Sequence, residues 1–318
     1  MIQNDCVSAI ALLGKVADLE CKRYAIMCLA NLAANSESRQ AATRSGGLHT
    51  AVQLIRDEDV DCRRYASIAL CNMANHPGSQ EQIVVHGALP RILQLCADIS
   101  DIETQRHALL LLNNVAANEV NHSTMVVRGT LETLMGAYES PDEDCREYAA
   151  FTMANMCSNP DFLEKIGQSG CINPLVMLSQ SNNVNTQTLG LAALRRLADK
   201  DTNWSLLIAA GTLDSIAAAG FSDETEVQLE ASAAICSLSL SVPHRVETAY
   251  KCMKTIVHLS QSREEEIARQ AVGAMANVAE DVETHEYIAQ AEGGKCLISL
   301  EAHDSLDIHR EATRGIAN

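Results

Sequence analysis

The most regularly spaced residues in this 318-residue chain are asparagines. Asn31, Asn72, Asn114 and Asn155 stand 41, 42 and 41 residues apart, and Asn277 and Asn318 fall in the same register. A carboxamide both donates and accepts hydrogen bonds, so what such a column offers is recognition. Residue types suited to catalysis show no comparable order. GxxxxGK[ST], GxGxxG, GxSxG and HExxH patterns are absent. The DEDVD run at Asp57–Asp61 looks like the start of a calcium loop, but Cys62 stands where glycine is needed and no glutamate follows at the right distance, so a solvated turn is expected. His107, His244, His258 and His309 belong to different segments. There is no CxxC and no Cys/His cluster with zinc spacing. The chain therefore reads as a non-enzyme, with no catalytic residue, no metal site and no cofactor.

The elements that carry the column repeat as well. CKRYAIMCLANLAAN (Cys21–Asn35) returns as CRRYASIALCNMAN, QRHALLLLNNVAAN and CREYAAFTMANMCSN. It returns again, more altered, around Arg196, Ser237, Asn277 and Asn318. A fixed period of this length over the whole chain marks a repeat array. Six residues before the column stand Ala25, Ala66, Ala108, Ala149, Gly190, Ala231, Ala271 and Ala312; two before it stand Leu29, Leu70, Leu112, Met153, Leu194, Ile235, Met275 and Ile316. That stripe predicts an amphipathic helix, and the small residue predicts close approach of a neighbouring helix. A second column, Gly46, Gly87, Gly129, Gly170, Gly211, Cys252 and Gly293, lies between a short and a longer helical run and predicts a sharp corner at each place. Polar turns such as RDEDVD and ESPDED precede the next long helix. The unit is three helices in about 41 residues.

A short helix, a Gly corner, a second helix and a long third helix ending like A-L-x-N-L-A resemble the armadillo repeat. The endings here are CLANLA, ALCNMA, LLNNVA, TMANMC, AMANVA and GIAN. HEAT repeats share the period but usually lack the Gly corner and the Asn. The resemblance implies an all-α, right-handed α-solenoid (superhelix) of seven to eight armadillo repeats. As one domain over 1–318 it divides into a partial repeat 1–35, repeats 36–76, 77–118, 119–159, 160–200, 201–241 and 242–281, and a truncated repeat 282–318. Natural solenoids end in polar capping repeats. Neither end reads as one, which leads us to expect further repeats or chain–chain contacts at the ends, as in a fragment of a larger armadillo protein.

Composition sets the compartment. The net charge of −17 disfavours nucleic-acid binding. No run of about 20 apolar residues could span a membrane. Three of the twelve cysteines, Cys21, Cys62 and Cys145, share one repeat position and lie far apart along a solenoid, so reduced, packed thiols are expected. A cytoplasmic protein, or a nuclear or cytoskeleton-associated one, follows, in which the sequons at Asn121 and Asn203 go unused.

The resemblance also implies a partner site. In armadillo proteins the third helices line a concave groove, and the column amides hydrogen-bond the backbone of an extended partner segment. That role passes by resemblance to Asn31, Asn72, Asn114, Asn155 and Asn277, while Arg196 and Ser237 break the ladder. Positions seven and four before the column lie within about 40° of it on a helix. They hold Tyr24, Tyr65, His107 and Tyr148, and Met27, Ile68, Leu110 and Phe151, in the first four repeats, but small or acidic residues later. Arg23, Arg64 and Arg106 flank the stripe and are expected to pair either with a ligand's acidic groups or with neighbouring carboxylates. They argue against a lysine-rich ligand, as does the absence of the Trp that karyopherin-α proteins carry. The expected function is a scaffold or adaptor of the β-catenin or vacuolar-adaptor type, binding an extended or helical protein segment. The alternatives are a regulatory segment of a larger myosin-chaperone, ciliary or kinesin-associated polypeptide, and a nuclear import receptor.

Overall fold

A computed structural model describes residues 4–301 and 303–318. Every regular element among the described residues is a helix. The chain forms two compact units, Met1–Asn159 and Pro160–Asn318.

In the first unit the long third helices are Leu19–Ala34, Val60–Ala74, Ile102–Ala116 and Glu143–Met156, and each packs on the next. In the second they are Val184–Ala198, Thr225–Ser239, Glu265–Ala279 and Leu306–Ala317, again packed in series. The small-residue column makes this approach possible: Ala66, Ala108, Ala149, Ala231 and Ala312 are fully buried. At Gly190 an added Cβ would stand 2.5 Å from the Ser179 backbone nitrogen. Leu29, Leu70, Leu112 and Met153 are also inaccessible, and burying each such side chain contributes about 1.5–3 kcal/mol.

Each third helix of the first unit begins at an aspartate. Asp18, Asp59, Asp101 and Asp142 accept the backbone N–H of Cys21, Cys62, Thr104 and Cys145 at 2.8, 2.9, 3.2 and 2.9 Å, which satisfies donors a helix start leaves open. The opposite ends of two of these helices, and of two third helices of the second unit, are closed by side chains of the following repeat. Gln80, Asn121, Asn203 and Thr284 donate to the carbonyls of Ala74, Val115, Leu197 and Val278. Asn121 and Asn203, the two sequon asparagines, are thus enclosed packing residues.

The glycine corners hold at Gly46, Gly87, Gly129, Gly170 and Gly211, all with φ between 77° and 90°. The last two differ from expectation. Cys252 lies inside one continuous helix, Arg245–Ser260, because a residue with a Cβ disfavours the left-handed region and the helix runs through. Glu292, not Gly293, takes the left-handed conformation at φ 61°. Gly293 is held instead by packing: a Cβ there would come 2.9 Å from Ile288 Cγ2 and 3.2 Å from Met275 Sδ.

Candidate partner-binding surface

The site residues expected from the sequence divide by unit. In the first unit the structure brings them together on four consecutive third helices. Tyr24 is 63% exposed. Tyr65, His107 and Tyr148 are half-buried, as are Met27, Ile68, Leu110 and Phe151. Asn31 is exposed, and Asn72, Asn114 and Asn155 are half-buried. Burial lowers the His107 pKa and favours the neutral ring.

The amides do something the sequence did not disclose. Asn72 Nδ2 donates to the Ala30 carbonyl at 3.1 Å, and Asn114 Nδ2 donates to the Cys71 carbonyl at 3.3 Å. Each acceptor residue directly precedes the ladder Asn of the previous repeat. Asn155 Nδ2 follows the same rule through a side chain, meeting Asn113 Oδ1 at 2.9 Å. A backbone carbonyl only accepts, so it fixes which end of the amides of Asn72 and Asn114 faces it. Among the described residues no donor reaches Oδ1 of Asn72, Asn114 or Asn155.

The arginine flank is spent inside the fold. Arg23 meets Asp59 at 2.6 Å, Arg64 meets Asp101 at 3.2 Å and Arg106 meets Asp142 at 2.6 Å. Each guanidinium thus reaches forward to the helix cap of the next repeat. A second carboxylate stands beside it: Asp61, Glu103 and Asp144 lie 3.6, 3.1 and 3.0 Å from Arg23, Arg64 and Arg106. The Arg106 guanidinium holds the Asp142 carboxyl at about 2, and Arg23 likewise pulls Asp59 far below the usual carboxylate range. The expectation that these arginines repel a lysine-rich ligand therefore loses its basis, because carboxylates outnumber them.

With Glu20, which pairs with Arg23 at 3.3 Å, these second carboxylates form a column of their own. Glu20, Asp61, Glu103 and Asp144 are separated by 41, 42 and 41 residues, eleven before each ladder Asn. Eleven residues is close to three helical turns, which returns to the same face. The same arithmetic that found the asparagines would have found them.

In the second unit the site is differently built. Asn277 is only 5% exposed. Its Nδ2 donates to Ser239 Oγ at 2.9 Å and its Oδ1 accepts from Arg314 Nη2 at 2.7 Å. Its amide is committed internally, which corrects its expected place among the partner-binding residues. Arg314 also donates to the Gly273 carbonyl at 3.3 Å and pairs with Glu280 and Glu311 at 3.0 and 2.6 Å. Gly273 occupies the position that holds Met27, Ile68, Leu110 and Phe151 in the first unit.

Among the described residues no group of three or more His, Cys, Asp or Glu is placed to hold a metal ion, and no helix is long and apolar enough to cross a membrane.

No protein-family model and no curated protein matches the chain. Solved structures do. An engineered protein superposes with a TM-score of 0.82 at 25% sequence identity, over 98% of this chain and 77% of its own. A designed armadillo repeat protein gives 0.67 at 22% identity, over 73% of this chain and 99% of its own. A second designed armadillo repeat protein, in complex with the peptide (KR)4, gives 0.61 at 22% identity, over 72% of this chain and 98% of its own. The fold is that of an all-α armadillo-repeat solenoid.

Proposed function

We propose that the first unit binds an extended protein segment laid across its third helices. The partner backbone meets the amides of Asn31, Asn72, Asn114 and Asn155, while Tyr24, Tyr65, His107, Tyr148 and Phe151 select its side chains. The single observation that carries this reading is the register of four consecutive third helices, each presenting an accessible Asn and an aromatic or large apolar ridge above it. Half-exposed aromatics on a rigid framework are the usual anchors of a protein interface. Peptide capture by a designed protein of this fold supports the general mode. The role is that of a scaffold or adaptor and not of an enzyme, and twelve cysteines dispersed through the repeats favour a reducing cytoplasmic or nuclear setting.

The test is a peptide-array screen of the protein beside a Tyr65→Ala/Asn72→Ala/Asn114→Ala variant of matched helical content. Binding lost in the variant supports the third-helix surface. Binding retained at full strength moves the site elsewhere and sinks the reading.

A further inference from the structure

We propose that a cleft between the second helices Leu48–Leu54 and Leu89–Cys96 binds a phosphate monoester carried on a protein segment, through Arg56, Arg63 and Arg91. This site is separate from the third-helix surface and does not rest on its proposed use.

With 41 acidic residues against 24 basic ones, a guanidinium in this chain has carboxylates in plenty to meet. Arg23, Arg64 and Arg106 each meet at least two. Arg56, Arg63 and Arg91 pair with none among the described residues. Backbone carbonyls hold them instead. Arg56 Nη2 donates to the Gly87 carbonyl at 2.5 Å, at the glycine corner of the next repeat. Arg91 Nε donates back to the Ile55 carbonyl at 3.2 Å, at the end of the preceding second helix. Arg63 Nη1 donates to the carbonyls of Asp57 and Glu58 at 3.1 and 2.6 Å. A carbonyl fixes a guanidinium in place but brings no formal charge to neutralise it. Donors also remain. Arg91 Nη1 meets Gln94 Oε1 at 3.0 Å. Nε and Nη1 of Arg56, Nε and Nη2 of Arg63, and Nη2 of Arg91 have no acceptor among the described residues.

The three arginines line one cleft of about 540 Å3, shared with two carboxylates. Asp57 is engaged by Lys22 at 2.8 Å, and Glu58 is exposed. Asp98, which also feels Arg63, accepts from the Ser100 backbone and hydroxyl. A phosphate monoester brings about −1.5 to −2 charges and three acceptor oxygens. Forked donors from several guanidiniums match it better than they match one planar carboxylate. A water occupies about 30 Å3 of liquid, so the cleft exceeds a phosphate group several-fold and admits the chain that carries it. The net charge of −17 repels an anionic bilayer, which favours a segment in solution over a lipid headgroup.

The test is fluorescence polarisation with labelled Gly/Ser octapeptides carrying a central phosphoserine, serine or glutamate. We expect the phosphoserine peptide alone to bind. Arg56→Gln/Arg91→Gln should weaken it by about tenfold or more. Arg44→Gln/Arg128→Gln, the same charge change at two exposed arginines of this unit, should alter it less than about twofold. Glu58→Gln removes an exposed carboxylate from the cleft and should strengthen binding about twofold, a gain that no loss of folding could imitate. The Tyr65→Ala/Asn72→Ala/Asn114→Ala variant should bind the phosphopeptide as the parent does, which separates this site from the third-helix surface. Equal binding of the serine or glutamate peptide overturns the phosphate assignment. Equal losses in the two arginine pairs reduce the effect to total charge and overturn the site. Displacement by equimolar inorganic phosphate overturns the part given to the segment. Capture of phosphatidylinositol-phosphate vesicles without the peptide moves the ligand to a membrane and overturns the proposal, as does no binding of any peptide.

Discussion

The Asn72 side chain donates to the backbone carbonyl of Ala30, 3.1 Å away and 42 residues earlier in the chain. This bond ties one third helix to the one before it. Replacing Asn72 by Ala removes it, at a cost of about 1 kcal/mol. Asn31 is exposed and makes no side-chain hydrogen bond among the described residues, so Asn31→Ala should leave stability unchanged. Urea denaturation of the two variants separates the rungs that hold the fold from the one free to serve a partner alone.

Asp142 caps the Glu143–Met156 helix and pairs with Arg106. Asp142→Ala is expected to cost about 0.5–2 kcal/mol through the cap. The folded carboxyl sits at about 2, below the value near 3.9 of an unfolded Asp. Its contribution is therefore complete above roughly pH 4 and is lost as pH falls towards 2. Denaturation midpoints of the parent protein and the variant should converge across that interval, and a constant gap between them would contradict the assignment.

Glu292 holds a left-handed conformation, φ 61°, that glycine adopts without strain. Glu292→Gly should stabilise the protein by up to about 1 kcal/mol, the loss of the exposed pair with Lys295 being minor. Gly293→Ala should lower Tm, because the added methyl meets Ile288 and Met275. Thermal melts of the two neighbours with opposite signs are the expected result.

Burial pushes the thiols of Cys71 and Cys252 up to about 12. Alkylation by iodoacetamide at pH 8, read by mass spectrometry, should modify the exposed Cys6 and spare both until denaturant is added. Early modification of Cys252 would mean that the Arg245–Ser260 helix opens.

The fold was largely legible because its signals are periodic: the buried alanines, the glycine corners and the apolar stripe recur at one interval and reinforce each other. The slip at Glu292 was not legible, since Gly293 offered the right residue type one place too late, and only the Ile288 contact shows what that glycine is for. At the site, the sequence brought the tyrosines, Phe151 and the first four asparagines to one surface. It could not say which end of each carboxamide is spoken for, because that depends on the distance to a carbonyl 42 or 43 residues away. Nor could it say that Arg106 serves Asp142 before any ligand, or that Arg314 reaches Asn277.

The connections of the first unit run in both directions. Amides reach back, from Asn72 to Ala30 and from Asn114 to Cys71, while guanidiniums reach forward, from Arg23 to Asp59 and from Arg64 to Asp101. A repeat that opens strips its predecessor of a bond and its successor of a neutralised cap at once. Nearest-neighbour coupling of this kind makes a linear array melt as a block rather than fray from one end. Amide exchange across the four third helices should therefore share a single opening free energy. A binding surface that spans four repeats then keeps its spacing whole or loses it whole, so a partner reading that spacing meets a ruler and not a loose string of independent contacts.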